Sequence, residues 1–354
     1  VKGVLTLESY LRVWGVSLAL AAGAFVLCMM LGQGEFGSGR LTFAWPGPDL
    51  FQLRLSRLLA AGMVGMALAA AGVTLQALLR NPLADPYVLG ISSGSAVGVM
   101  AWMVLLSLGG GALARALPAE VLAWGRSVPA VAGAVLTCIL VFVLARGRWA
   151  GAEVGGGIVQ PVTLLLVGVV VSAMNAAVLM VLNALAPHGV KADLATYLLG
   201  SISENELTPG LLTAAGIVLA AGYLPVLLSA ASLNVGSLSE VEATSLGVNT
   251  ARLRSLCFIC ASVMTGAALL LSGPIGFVGL ICPHICRRVI GADHRKLLVA
   301  APLVGAAFLM IADSAVRVAV VFNRGQMPVG VVTALCGGPL FLFLLRRGGG
   351  GGAR

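Results

Sequence analysis

Seven stretches of about twenty residues run through this chain without a single charged side chain, and an eighth carries only two. They are Val13–Leu31, Leu58–Leu79, Tyr87–Leu108, Ser127–Ala145, Pro161–Leu185, Leu207–Leu233, Met327–Leu345 and, holding Asp313 and Arg317, Leu297–Val321. A helix needs about 20 apolar residues to cross the ~30 Å hydrocarbon core of a bilayer. No backbone amide can be left unbonded there. Such a chain is predicted to be an all-α polytopic membrane protein. Composition agrees, because only 10% of its residues are charged, against about 25% in a soluble domain.

A ninth stretch, Ser255–Cys286, holds 32 uncharged residues broken by Ser272-Gly-Pro-Ile-Gly276. Arg252 and Arg254 precede it; Arg287, Arg288, Arg295 and Lys296 follow. Basic residues concentrate on the cytoplasmic side of membrane proteins. Two crossings, turning at Gly273-Pro274, keep both groups on that side. The expectation is therefore about ten spans in one transmembrane domain over residues 1–354, with both ends cytoplasmic. The first run, preceded by Lys2 and Arg12, reads as a retained helix. This topology places 14 of the 22 basic residues in the cytoplasm. The net charge of +9 is strung between apolar runs, so it reflects topology and not nucleic-acid binding. The seven cysteines lie in or beside those runs and read as small buried hydrophobes.

The passage LLRNPLADPYVLGISSGSAVG, Leu78–Gly98, separates two of the spans. Asn81-Pro82 stops the first helix. Asp85-Pro86 restarts the next, with Asp as the cap and Pro at the first helical position. Gly90, Gly94 and Gly98 recur every fourth residue, which lets helices approach closely. A similar Pro/Gly-rich passage, Ser272–His284 with Pro283 and His284 at its end, follows the seventh span on the other side. The pair suggests an inverted repeat of the transporter type.

One cytoplasmic segment, Ser232–Arg254, is too long for a turn. Ser239 is a candidate cap, Glu240 and Glu242 fall in a first turn, and Gly247 is a candidate stop. One or two short helices are predicted, either a solvated linker or a contact element for a cytoplasmic partner. On the outer side, Arg54 and Arg57 precede span two. Asp313 and Arg317 share a face of span nine. They either form an internal pair or offer cations to a soluble partner or anionic substrate. The chain lacks the G-x-x-x-x-G-K-[ST] phosphate loop, H-E-x-x-H, and G-x-S-x-G, so it is not expected to be an enzyme or to bind ATP itself. Nor do acidic residues recur through several spans, as a proton-coupled carrier would often show.

Taken together, RLSRLLAAGMVGMALAAAGVTLQALLRNPLADPYVLGISSGSAVG, LGVN, GPIGFVGLICPHICRRVIGADHR and LMIADSAVR with MPVGVVTALCGGPLFLFLL resemble the FecCD/BtuC-like permeases. These serve binding-protein-dependent ABC importers of iron–siderophores, haem and cobalamin. The resemblance implies ten helices per subunit and a homodimer, or a dimer with a close paralogue, in the inner membrane. It also implies two cytoplasmic ATPase subunits that carry the ATP and Mg, and a periplasmic or lipid-anchored binding protein. By position, Arg54, Arg57 and Arg317 match residues that dock the binding protein. Ser239, Glu240, Glu242, Leu246 and Gly247 fall in the ATPase-coupling segment, about 232–254. Gln160, Pro161 and Val162 match the inner gate, where cobalamin-type members tend to carry small hydroxyl residues. The alternative is a secondary carrier or channel that works alone.

Overall fold

The computed structural model describes residues 7–33, 41–108, 125–146, 161–204, 207–322 and 327–348. Helix α1 (Leu7–Met30) leads through a small antiparallel hairpin, β1 (Leu31–Gln33) and β2 (Leu41–Phe43), into α2 (Pro48–Leu78). A single 3₁₀ turn (Pro86–Leu89) precedes α3 (Ile91–Leu108). Next come α4 (Ser127–Arg146), α5 (Pro161–Leu185), a short α6 (His188–Leu198) and α7 (Pro209–Leu228). Two small helices follow, α8 (Ala230–Gly236) and α9 (Glu240–Ser245). The remainder is α10 (Thr250–Ser272), α11 (Val278–Ile290), α12 (His294–Phe322) and α13 (Val329–Gly348).

Eight of the described helices are long and apolar enough to cross a membrane. Helix α13 carries a shorter apolar stretch, Val329–Phe341, and α11 has thirteen residues. At 1.5 Å per residue α11 extends about 20 Å, well short of the ~30 Å apolar core. The expected second crossing of Ser255–Cys286 is therefore a short helix, about two-thirds of the core's thickness. The break itself falls where the sequence placed it: α10 stops at Ser272, and Gly273 takes φ +65. Phe277, at φ +71, caps α11 in the left-handed region, a rare conformation for a bulky residue.

Helices α2, α10 and α12 form the centre. About four-fifths of each apolar span is buried, against about one-fifth for α1 and α5. The central helices touch through backbone. A Cβ added to Gly65 of α2 would lie 2.1 Å from the carbonyl oxygen of Gly305 on α12. One added to Gly72 would lie 1.9 Å from that of Gly279 on α11. A second glycine seam joins α3 to α4, where Cβ atoms at Gly94 and Gly98 would meet Thr137 and the Pro129 carbonyl at 2.0 and 2.1 Å. Lipid tails are as apolar as leucine, so such close packing holds membrane helices together. Cys28, Cys257, Cys260, Cys282 and Cys286 are buried among these helices.

The two broken passages meet each other. The Ile275 amide donates to the Tyr87 hydroxyl at 2.8 Å, and the Pro86 ring packs beside Gly279. Asp85 caps the 3₁₀ turn by accepting from Tyr87 N–H at 2.9 Å, and Gly90 closes it at φ +79. The cap thus serves one turn only; α3 starts afresh at Ile91.

Candidate functional site

The charged side chains gather at two ends of the bundle. At one end, α2 and α4 finish and α10 and α12 begin; Arg80, Arg146, Arg252, Arg254, Arg295 and Lys296 lie here, on what is called the basic face below. Contacts fix the grouping. Arg80 donates to the Gly236 and Leu238 carbonyls at 3.0 and 2.5 Å. Asn234 joins α8 to the start of α12, donating to Asp293 at 2.7 Å and accepting from His294 N–H at 2.9 Å.

Helices α8 and α9 form the tip of this face. Ser239 accepts from Glu242 N–H, and the Glu242 carboxylate accepts from Ser239 N–H at 3.0 Å, which completes a capping box. These hydrogen bonds hold the Glu242 carboxyl below its ordinary pKa. The α9 C-terminus closes at Gly247 (φ +81), with Val248 N–H reaching the Ala243 carbonyl at 3.0 Å; this is a Schellman closure. Glu240 pairs with Arg254 of α10. The backbone is thus pinned at both ends of a six-residue helix. Yet Val241 and Leu246 are 78% and 63% exposed. A rigid element presenting apolar side chains to water has the build of a contact surface. Beside it, a cavity of about 400 Å³ is lined by Ser232, Gly247, Val248, Asn249, Arg252, Leu253 and Leu256.

The opposite face holds the arginine cluster. Arg57 Nε donates to both carboxylate oxygens of Asp313 at 3.0 and 2.9 Å, and its Nη1 to Glu204 at 2.8 Å. Arg317 Nε lies 3.5 Å from Asp313, and its Nη2 donates to Ser314 and to the Cys28 carbonyl at 2.6 and 3.3 Å. Arg54 is buried and donates to the Met29 carbonyl at 2.9 Å. Asp313 is completely enclosed, and a buried carboxylate needs such counter-charges. The sequence brought Arg54, Arg57, Asp313 and Arg317 to one end correctly. Of the two alternatives the internal pairing is what the geometry shows: the guanidinium groups turn inward and tie α1, α2 and α12 together. Glu204 went unrecognised, since 147 residues separate it from Arg57 and it sits in no motif.

The remaining candidates scatter. Asn81 accepts from Leu83 N–H at 2.9 Å in the link after α2, with Pro82 beside it. Gly273 abuts the Tyr197 ring, and the Pro274 carbonyl abuts Gly200. Pro283 is buried inside α11, and His284 follows it with Nε2 enclosed. Pro161 opens α5 and Val162 is exposed beside it, while Gln160 lies outside the described residues.

The sequence pattern of the FecCD transport family matches residues 19–347. The chain belongs to that family. It is 36% identical to the probable iron chelatin transport system permease protein of Helicobacter pylori (strain J99), over 84% of this chain and 82% of that one. It is 37% identical to the hemin transport system permease protein HmuU of Yersinia pestis, over 83% and 82%. It is 36% identical to the cobalamin import system permease protein BtuC of Halobacterium salinarum, over 83% and 72%. A solved inward-facing metal-chelate type ABC transporter superposes with a TM-score of 0.77 at 27% identity, covering 95% of this chain and 99% of that one. The fold is that of a BtuC-like transmembrane domain, and the chain is a permease subunit of an ABC importer.

Proposed function

We propose that this permease carries an iron–siderophore, haem or cobalamin-type metal chelate inward across the cell's inner membrane. Two copies, or one copy and a close paralogue, form the pathway between them. The basic face is cytoplasmic, because Lys and Arg concentrate on that side of membrane proteins. Two ATPase subunits dock there and hold the ATP and Mg. A periplasmic or lipid-anchored binding protein delivers cargo to the opposite face. It engages the rim of the arginine network. Glu204 is the more exposed partner of Arg57, at 34% against none for Asp313, so an incoming carboxylate can share that guanidinium while Asp313 stays in place.

The observation that carries this reading is the α8–α9 tip, where α9 is capped at both ends yet shows Val241 and Leu246 to water. A solvated linker would have neither the rigidity nor the apolar display. The test is uptake by the purified permease in liposomes, with and without its ATPase and binding protein. Transport is expected only from the complete set. Leu246→Asp, at an exposed position, should insert normally, and Glu240→Lys, which also breaks the pair with Arg254, should still insert because α9 lies outside the spans; both should separate ATP hydrolysis from uptake. Wild-type uptake in both variants, or transport by the chain alone, would overturn the proposal.

A further inference from the structure

A second recess opens on the basic face, between the first turns of α1, the end of α11 and the start of α12. It has a volume of about 340 Å³ and is lined by Glu8, Ser9, Arg12, Val13, Val289, Ile290 and Lys296. None of these residues belongs to the tip or to the arginine cluster. The recess is chemically two-sided. Arg12, Lys296, Ser9 and Glu8 supply polar groups; Val13, Val289 and Ile290 supply apolar ones. Lys296 donates to Ser9 Oγ at 2.6 Å, which engages one of its three ammonium hydrogens. Arg12 pairs with Glu8 through one terminal nitrogen, and a guanidinium has five N–H donors. The lining sums to one positive charge, with two cations against one carboxylate.

The apolar side continues out of the recess. Val13, Val16 and Leu20 fall at i, i+3 and i+7 of α1, on one helix face, and Val16 and Leu20 are exposed. Val289 is exposed at the mouth. A polar recess that opens onto an apolar track has the shape of a headgroup followed by an acyl chain. A free phosphate would use only the first part. Basic pockets between membrane helices are known to receive acidic headgroups.

We infer that this recess binds one acidic phospholipid, its phosphate on Lys296 and Arg12 and an acyl chain along Val13, Val16 and Leu20. The inference stands apart from cargo, from the α8–α9 tip and from the arginine cluster, because it uses none of their residues.

The test is native mass spectrometry of the delipidated full-length chain in detergent, titrated with dioleoylphosphatidylglycerol, dioleoylphosphatidylcholine or inorganic phosphate. One phosphatidylglycerol should be retained in preference to phosphatidylcholine. Lys296→Gln and Arg12→Gln should each weaken retention about fivefold, the effect of one cation near an acidic headgroup. Arg295→Gln, adjacent but outside the recess, should not. Val16→Ser with Leu20→Ser keeps every charge and breaks the track; it should also weaken retention. Thermal unfolding of each variant confirms that it is folded. Equal retention of the two lipids would overturn the inference, as would an equal loss in Arg295→Gln. Competition by inorganic phosphate with no effect of the serine pair would make this an anion site and not a lipid site, and would overturn it too.

Discussion

The two ends of α2 each hold a buried carboxylate nearby, and they treat it in opposite ways. At the opposite face, Asp313 lies against the guanidinium groups of Arg57 and Arg317. At the basic face, Asp85 accepts a hydrogen bond from the Tyr87 amide, and burial pushes its pKa up to about 6. Arg80, five residues earlier in the chain, reaches toward the carbonyls of the α8–α9 tip. One end is a charged knot that fastens helices. The other is a backbone cap that titrates, joined to a surface built for contact. A carboxylate's role follows from what neutralises it, not from its burial.

The largest effect should come from untying the knot. Asp313→Asn leaves two enclosed guanidiniums without their shared anion and should cost about 3–5 kcal/mol, the usual result of breaking a buried pair from one side. Thermal unfolding in detergent reads it; a loss below about 1 kcal/mol would show the two ends to be alike. Asp85 sharpens the contrast through pH. Its folded pKa lies above the ordinary 3.8, so the folded state binds the proton more tightly. Its contribution is therefore full below about pH 4, falls as pH rises to about 6, and is flat above. The fall should be on the order of 1–3 kcal/mol. Asp85→Asn keeps a capping oxygen and should erase that slope; an unchanged profile would place the titration elsewhere.

Arg80→Ala should be milder, about 1 kcal/mol for lost hydrogen bonds to carbonyls. Its signature is local: faster hydrogen exchange in residues 240–245, with the Asp313 end unaffected. Smallest is Glu204→Gln, where Arg57 retains Asp313 and a partly exposed pair disappears, worth about 0–1 kcal/mol. Its effect should shrink further in high salt.

The α8–α9 caps were legible in the sequence because they are local. Ser239 and Glu242 are three residues apart, and Gly247 follows the last turn; each geometry is decided by neighbours in the chain. The long spans were legible because hydropathy alone sets them. The shortness of α11 was not, since Ser255–Cys286 is uncharged throughout and hydropathy cannot tell a full crossing from a helix that starts partway. Helix α6 was missed for the opposite reason: His188, Lys191 and Asp193 make it too polar to register as a span. The inward turn of Arg54, Arg57 and Arg317 depended on Glu204, Cys28 and Met29 arriving from distant segments, and no local pattern announces that.

The glycine contacts bear on how this chain can vary. Where Gly65 faces Gly305, Gly72 faces Gly279 and Gly133 faces Gly94, the neighbouring backbone already occupies the space of a methyl group. Every base change that alters the meaning of a glycine codon yields a stop or a residue with a Cβ. No single-nucleotide step away from these positions is silent in structure. Substitutions at these glycines should therefore be tolerated far less well than substitutions at exposed positions of the same bundle, such as Leu136 and Val143 of α4.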